Sequence, residues 1–338
     1  MKILVVAPSW IGDTVLAQPL LRLLHQRHEE LAVHALAPEW TLPLVRRMPE
    51  VQRAISSPFV HGELNLSARR AIGRELRSER YDQAIVLPNT WKSALVPLFA
   101  RIPRRTGYRG EARWGALNDV RTLDEAALPQ MAQRYAALAF DEGEALPAAL
   151  PQPHLNVEET ERRAAVAALG LTGTRSAVAL CPGAEYGPAK RWPPSYYADL
   201  ARTLQKQGDT VWLVGSPRDA DIGQDIVRLS GGACLNLCGK TTLDQAVALL
   251  ASVRLAVAND SGLMHVAAAV GTPLIAIYGS STPAYTPPMS PHATIAKLDI
   301  PCSPCFERTC PLGHFNCMMQ LKPERVIALV ESAGWRKE

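Results

Sequence analysis

Apolar and polar positions fall in blocks whose period switches back and forth along the chain. Residues 2–7 form an apolar run opened by Lys2, the pattern of a central parallel strand covered on both faces. From 14 to 27 the period becomes helical, with Val15, Leu16, Leu20, Leu23 and Leu24 on one side. Further strands are expected at 31–37 and 81–87, and a helix at 92–100. The stretch 146–153, with Pro147, Pro151 and Pro153, reads as a linker. The same grammar then restarts: helix 158–169, strand 176–180, helix 196–207, strand 210–214, helix 222–229, strand 235–237 and helix 243–251. Strand 255–258, helix 263–270 and strand 273–278 close the series. Strands alternating with helices imply parallel sheets joined by right-handed crossovers. Ligands of such sheets bind in the loops at the carboxyl ends of the strands. Those loops are 8–13 in the first half and 181–192, 215–221 and 259–265 in the second. A chain of 338 residues suits two domains, with expected limits 1–153 and 154–338.

The most informative stretch is 259–283, N-D-S-G-L-M-H-V-A-A-A-V-G-T-P-L-I-A-I-Y-G-S-S-T-P. It reads as strand end, polar turn, helix, strand and second polar turn. Asp260 or Ser261 stands at a helix N-cap, where free N–H groups attract anions such as phosphate. His265 follows within the first turn, so its ring can face the same ligand.

Other features narrow the picture. No apolar run approaches the roughly 20 residues that span a bilayer. Pro8, Gly12 and Asp13 interrupt the N-terminal stretch, which reads as a strand rather than a signal peptide, and the expected location is the cytoplasm. Net charge is only +4, but residues 41–121 hold fourteen Arg and one Lys against seven acids. Such an excess favours an anionic partner. Helical spacing explains Arg69, Arg70, Arg74, Arg77 and Arg80 as a solvated face, whereas Arg104, Arg105, Arg109 and Arg113 are expected in a Gly-bearing loop beside Tyr108 and Trp114. The region lacks a recognisable nucleic-acid-reading motif, so no nucleic-acid partner is expected.

Two nucleotide signatures are missing. No G-x-G-x-x-G follows the first strand, and Cys234 stands where the P-loop ending at Gly239-Lys240-Thr241 needs its first Gly. Asp219-Ala220-Asp221 is a literal D-x-D, which occurs often by chance. In the loop 8–13, Gly12 permits a tight turn with close ligand approach. Asp13 has two readings, a helix cap or a general base at the top of the sheet. Lys190-Arg191 before Trp192-Pro193 places two cations at a strand's carboxyl end, suited to a diphosphate. Cys302, Cys305, Cys310 and Cys317, with His314 among them, admit structural zinc, disulfides or free thiols, and their spacing is not that of a standard ribbon or finger.

With these residues in view, the chain resembles the ADP-heptose:lipopolysaccharide heptosyltransferases, glycosyltransferase family 9, over almost its whole length. The resemblance is carried by M-K-I-L-V-V-A-P-S-W-I-G-D at the start, L-P-N-T-W-K-S-A at Leu87 and R-T-G-Y-R-G-E at Arg105. C-P-G-A-E-Y-G-P-A-K-R-W-P at Cys181 and N-D-S-G-L-M-H-V-A-A-A at Asn259 complete it.

The resemblance implies an α/β GT-B fold, with two Rossmann-like domains facing an interdomain cleft, the first binding acceptor and the second ADP-heptose. It implies inverting, metal-independent transfer of heptose from ADP-L-glycero-D-manno-heptose to the first heptose of Kdo-lipid A. ADP-heptose is then a co-substrate and no cofactor is required. Asp13 falls at the family's general base. Lys190, Ser261 and Gly262 fall at the donor diphosphate, Asp260 at the donor sugar, His265 beside the phosphates and Asp219 at the ribose. Ser9, Gly12, Lys92, Arg105, Arg109 and Arg113 are expected on the acceptor side. The implied partners are ADP-heptose, heptosyl-Kdo2-lipid A and the cytoplasmic face of the inner membrane, touched peripherally. Glu185 and Tyr186 depart from the family pattern, standing where some members carry two hydroxyl residues before the Lys. Transfer to another core position, a GT-B nucleotide-sugar epimerase and a non-catalytic nucleotide-sugar binder are the alternatives.

Overall fold

The computed structural model describes residues 1–59, 62–172 and 176–332. The chain divides into two compact units, Met1–Leu155 and Asn156–Glu338. In the first unit, six parallel strands run β1 (Lys2–Val6), β2 (Ala32–Pro38), β3 (Arg53–Ser57), β4 (Gln83–Val86), β5 (Arg104–Tyr108) and β6 (Asp119–Arg121). Their order across the sheet is β3-β2-β1-β4-β5-β6. The second unit holds β7 (Ala177–Cys181), β8 (Thr210–Leu213), β9 (Leu235–Asn236), β10 (Leu255–Asn259), β11 (Leu274–Ile277) and β12 (Ala293–Ala296). Its order, β12-β11-β10-β7-β8-β9, is the same doubly wound topology read from the other side.

The central strands are where the sequence places them, because burial on both faces leaves no room for polar residues. Ile3 and Leu4 in β1, all of β7 and Leu255 to Ala258 in β10 are buried. In the second unit, Val178, Leu180, Leu213, Val257, Ile275 and Ile277 pack with Trp192 and Tyr197 in one core.

Three differences have physical causes. Strands β3, β5, β6 and β12 lie toward the sheet edges, are partly exposed, and so lack the apolar run that marks a central strand. Arg104 and Arg105 consequently belong to strand β5, not to the expected loop; Arg104 pairs with Asp119 (2.8 Å) and Asp141 (2.6 Å). The expected helix 14–27 is two helices, Ile11–Leu16 and Gln18–Arg27, because Pro19 enters the first turn of the second and cannot donate a backbone bond. A helix Pro323–Ser332, unanticipated from periodicity, also packs in the second unit's core through Val326 and Val330.

Asn259, the last residue of β10, locks the centre of the second sheet. Its Oδ1 accepts from Trp192 N (3.1 Å) and the Tyr197 hydroxyl (3.0 Å), and its Nδ2 donates to Pro182 O (2.7 Å). This fully buried amide therefore joins β10 to the loop after β7 and to the helix Pro194–Lys206. Asn259→Ala leaves Trp192 N and Pro182 O without this partner, while the Tyr197 hydroxyl keeps Cys181 O (3.3 Å), and is expected to cost about 3 kcal/mol of stability. Urea unfolding measures it, and a loss below about 1 kcal/mol would show the clamp to be dispensable.

Candidate active site

In the second unit the strand order reverses between β7 and β10, and chemistry-bearing residues gather at the carboxyl ends of those two strands. Asp260 leaves β10 buried. Its Oδ2 accepts from Lys190 Nζ (2.5 Å) and Ser281 Oγ (2.5 Å), and Thr286 Oγ1 lies 3.5 Å from Oδ1. Lys190 ends the short 3-10 turn Pro188–Lys190 and also sits over the Tyr186 ring, 5.3 Å from its centroid. The expected diphosphate cation and the expected sugar-binding carboxylate are thus paired with each other.

Ser261 occupies the N-cap of the helix Gly262–Ala269 but makes no side-chain cap bond, so its hydroxyl and the first-turn N–H groups are not tied to one another. His265 is buried in that helix, and its Nδ1 has no hydrogen-bond partner among the described residues. Burial pushes its pKa down to about 4; Lys190 pushes the same way and Asp260 opposes. The imidazole is therefore neutral near pH 7.

Asp219 is also buried, as the last residue of the 3-10 turn Pro217–Asp219. Its Oδ2 accepts from Ser216 N (2.9 Å) and Ser216 Oγ (2.7 Å). Oδ1 accepts no hydrogen bond among the described residues. Gly183 is required beside it, since an added methyl would collide with the carboxylate. The departing pair Glu185 and Tyr186 is engaged locally. Glu185 pairs with Arg218, and the Tyr186 hydroxyl donates to Phe306 O (2.7 Å).

The four clustered cysteines line one small cavity with Ala189, Ser280, Leu312, His314 and Phe315. All seven cysteines are unbridged, so the disulfide alternative is not what the fold displays. Among the described residues no group of three or more His, Cys, Asp or Glu side chains is arranged to hold a metal ion. Phe315 N–H donates to Cys310 Sγ (3.4 Å) and, with neighbouring N–H groups, holds that thiol below its ordinary pKa.

In the first unit the order reverses between β1 and β4. Asp13 lies half-buried, third in the helix Ile11–Leu16, and the N-cap is Trp10. The carboxylate sits in the positive first turn without being the cap residue. Ser9 and Gly12 flank it, and the Ser9 carbonyl accepts from Trp40 Nε1 (2.8 Å). The arginines separate into two kinds. Arg113 is buried and donates to Pro88 O (2.8 Å) and to Tyr108 O, and burial lowers its pKa. Arg105 donates to the carbonyls of Ile102 (2.6 Å) and Ala116 (2.7 Å). Both brace backbone. Arg109 is exposed and Lys92 half-buried, and neither side chain forms an ion pair among the described residues. Asn89 and Glu111 complete this edge: Glu111 N donates to Asn89 O (3.1 Å), and Glu111 Oε2 accepts from Trp91 N (3.0 Å).

Residues 69–316 match Glycosyltransferase family 9 (heptosyltransferase). The chain belongs to this family. The family 9 chain is 46% identical to lipopolysaccharide heptosyltransferase 2 of Escherichia coli strain K12 over 336 residues, 97% of each chain. It is 43% identical to lipooligosaccharide heptosyltransferase 2 of Haemophilus ducreyi, again over 97% of each. The solved structure of E. coli ADP-heptose lps heptosyltransferase II superposes with a TM-score of 0.88 at 44% identity, covering 98% of both chains. Two α/β units with parallel six-stranded sheets are the GT-B type of architecture.

The buried His265 predicts a pH dependence. The unfolded ring binds a proton below about 6.5, while the folded one resists protonation to about 4. Stability conferred by the neutral ring is therefore present above 6.5 and is lost as pH falls toward 4, by up to about 3 kcal/mol. Urea unfolding of wild type and His265→Asn at pH 7.5 and 5 isolates this contribution. The wild type is expected to lose more on acidification, and parallel losses would exclude His265 as the cause.

Proposed function

We propose that this chain moves a heptosyl group from ADP-L-glycero-D-manno-heptose to the first inner-core heptose of Kdo-lipid A, inverting the anomeric centre and using no metal. The observation that carries the reading is the identity of 46% to the E. coli lipopolysaccharide heptosyltransferase 2 across 97% of both chains. The polar constellations at the two sheet edges supply the chemistry. In this mechanism Asp13 takes the proton from an acceptor hydroxyl as its oxygen attacks the anomeric carbon, and ADP departs from the opposite face.

The arriving diphosphate competes with Asp260 for Lys190. Once Lys190 turns to phosphate, Asp260 remains held by Ser281 and accepts a hydrogen bond from a donor-sugar hydroxyl. The Ser261–Gly262 helix start offers N–H groups to the leaving diphosphate, and His265 acts as a neutral donor rather than a charge. Asp219 Oδ1 receives the ribose hydroxyls. Lys92 and Arg109 face the acceptor's carboxylates and phosphates, with Ser9 and Gly12 lining the approach to Asp13. No helix among the described residues is long and apolar enough to cross a membrane. In this reading the chain works peripherally at the cytoplasmic face of the inner membrane.

The decisive assay follows ADP release from ADP-heptose with acceptors truncated after Kdo or after the first heptose, in excess EDTA. Release is expected only with the heptose-bearing acceptor, and Asp13→Asn should lower turnover roughly 10²–10⁴-fold with donor affinity little changed. Acceptor-independent conversion would favour an epimerase, and donor binding without turnover a binding protein. Activity restored only by added Mg²⁺ would overturn the metal-free mechanism, and wild-type turnover in Asp13→Asn would remove Asp13 as base.

The arginines separate by a second measurement. Arg113→Ala is expected to lose about 2 kcal/mol of stability through its unpaired carbonyls, while its acceptor KM at a temperature of full folding matches wild type. Arg109→Ala should keep its melting temperature and raise acceptor KM roughly two- to fivefold, the scale of an exposed charge contact. The reverse pattern would exchange their roles.

A further inference from the structure

The loop after β7, residues 182–193, carries Lys190 but contains no Ser or Thr. Its other polar groups are committed. The Glu185 carboxylate pairs with Arg218, and the Tyr186 hydroxyl donates to Phe306 O (2.7 Å). Arg191 braces the loop through Ala184 O (3.3 Å), and Lys190 is held by Asp260 (2.5 Å). Within this loop only Lys190 stands ready for a diphosphate, and it has a carboxylate partner to leave first.

A second cation reaches the same place from the cysteine-bearing segment. Arg308 lies 122 residues along the chain from Tyr186, and its Nε donates to Tyr186 O (2.9 Å). Its carbonyl accepts from Ala189 N (3.0 Å), the residue before Lys190. Gly187 makes that approach possible, since an added Cβ there would stand 2.3 Å from Arg308 O. The Arg308 guanidinium sits 5.3 Å from the centroid of the Tyr186 ring, and Lys190 Nζ sits 5.3 Å from the same centroid. One aromatic ring thus carries both cations. Arg308 is exposed, and its two terminal nitrogens make no hydrogen bond or ion pair among the described residues. Like charges repel, so two cations fastened to one ring form a place that an anion bridging them stabilises.

We propose that Arg308 is a second cationic ligand of the donor's diphosphate, beside Lys190. The inference rests on the ADP-heptose reading of this site and adds a residue to it. As the bond from the anomeric carbon to the phosphate oxygen breaks, its electron pair stays on that oxygen, and the diphosphate gains one negative charge. The acceptor's proton goes to Asp13. Lys190 meets the new charge only after leaving Asp260, which then needs a partner of its own. Arg308 has no carboxylate to give up. Its planar fork can donate two parallel hydrogen bonds to phosphate oxygens, and the Nε bond together with the Tyr186 ring fixes the plane of that fork. A metal-free site is thereby supplied with a fixed cation where the leaving group becomes more negative.

Calorimetric titration of the full chain with ADP tests this, because it reads the diphosphate site without acceptor or transfer. Arg308→Ala is expected to weaken ADP binding about tenfold, as the loss of a charge-assisted contact does, and to lower turnover at saturating donor by a similar factor. Arg308→Gln keeps an N–H donor for Tyr186 O but no charge. It should lose as much, and it replaces the Ala variant if that one does not fold. ADP affinity within about twofold of wild type in these variants overturns the proposal. So does wild-type affinity restored in Arg308→Gln alone, which would make Arg308 a brace for the Tyr186 loop, and so does a wild type that does not bind ADP. A wild type that binds ADP but releases none from ADP-heptose with the heptose-bearing acceptor sinks the transfer reading instead, and the ADP titration still decides the role of Arg308.

Discussion

The buried amide of Asn259 is the constraint on which the second unit's chemistry depends. It sits at the reversal of strand order, where two neighbouring crossovers depart in opposite directions and leave the strand ends uncovered. A gap of this kind binds a ligand only if its walls stay in place. Asn259 holds them by satisfying Pro182, Trp192 and Tyr197 together. The next residue, Asp260, is thereby aimed at Lys190 from the other wall. In the proposed function each partner of this pair is also wanted by the arriving donor, so the pair would divide its charges on binding.

The two units use one topology for different electrostatics. In the second, charge is concentrated in a few buried, mutually satisfied groups. The first gathers fifteen cations against seven acids within residues 41–121, but much of that excess is structural. Arg69 donates to the carbonyls of Leu64 and Lys92, Arg105 to those of Ile102 and Ala116, and Arg113 to that of Pro88. A buried guanidinium that satisfies several carbonyls stiffens a loop without long-range help from its charge. Only the remaining exposed cations are available to an anionic acceptor or surface.

The cysteine-bearing segment acts on the site through backbone contacts. Phe306 N donates to Ser280 O (2.7 Å), next to Ser281, which supports Asp260. Ala189 N donates to Arg308 O (3.0 Å), next to Lys190. Ser303 Oγ donates to Gly279 O (2.7 Å). The segment thus fastens both walls of the Lys190–Asp260 pair from outside, which gives this late stretch of chain a positioning role whether or not its thiols ever react.

Periodicity alone determined the central strands, the crossover helices and the parallel class of both sheets, because buried strands between helices tolerate almost no polar residue. Local motifs determined that Asp13, Lys190 and Asp260 stand at strand ends, since position after an apolar run depends only on chain order. Tertiary structure decided the rest. Edge strands such as β3 and β6 are partly exposed and carry Arg, Ser or Asp, so they lack an apolar signature. The division of the arginines into braces and free cations depends on carbonyls brought close by folding, as Pro88 is to Arg113. The neutral state of His265 comes from burial, and the pairing of Lys190 with Asp260 spans seventy residues of sequence. The exposed Trp10, Trp40, Trp91 and Trp114 share one edge of the first sheet only because their loops leave adjacent parallel strands. Such facts are set by long-range proximity and desolvation, which no local pattern of residues encodes.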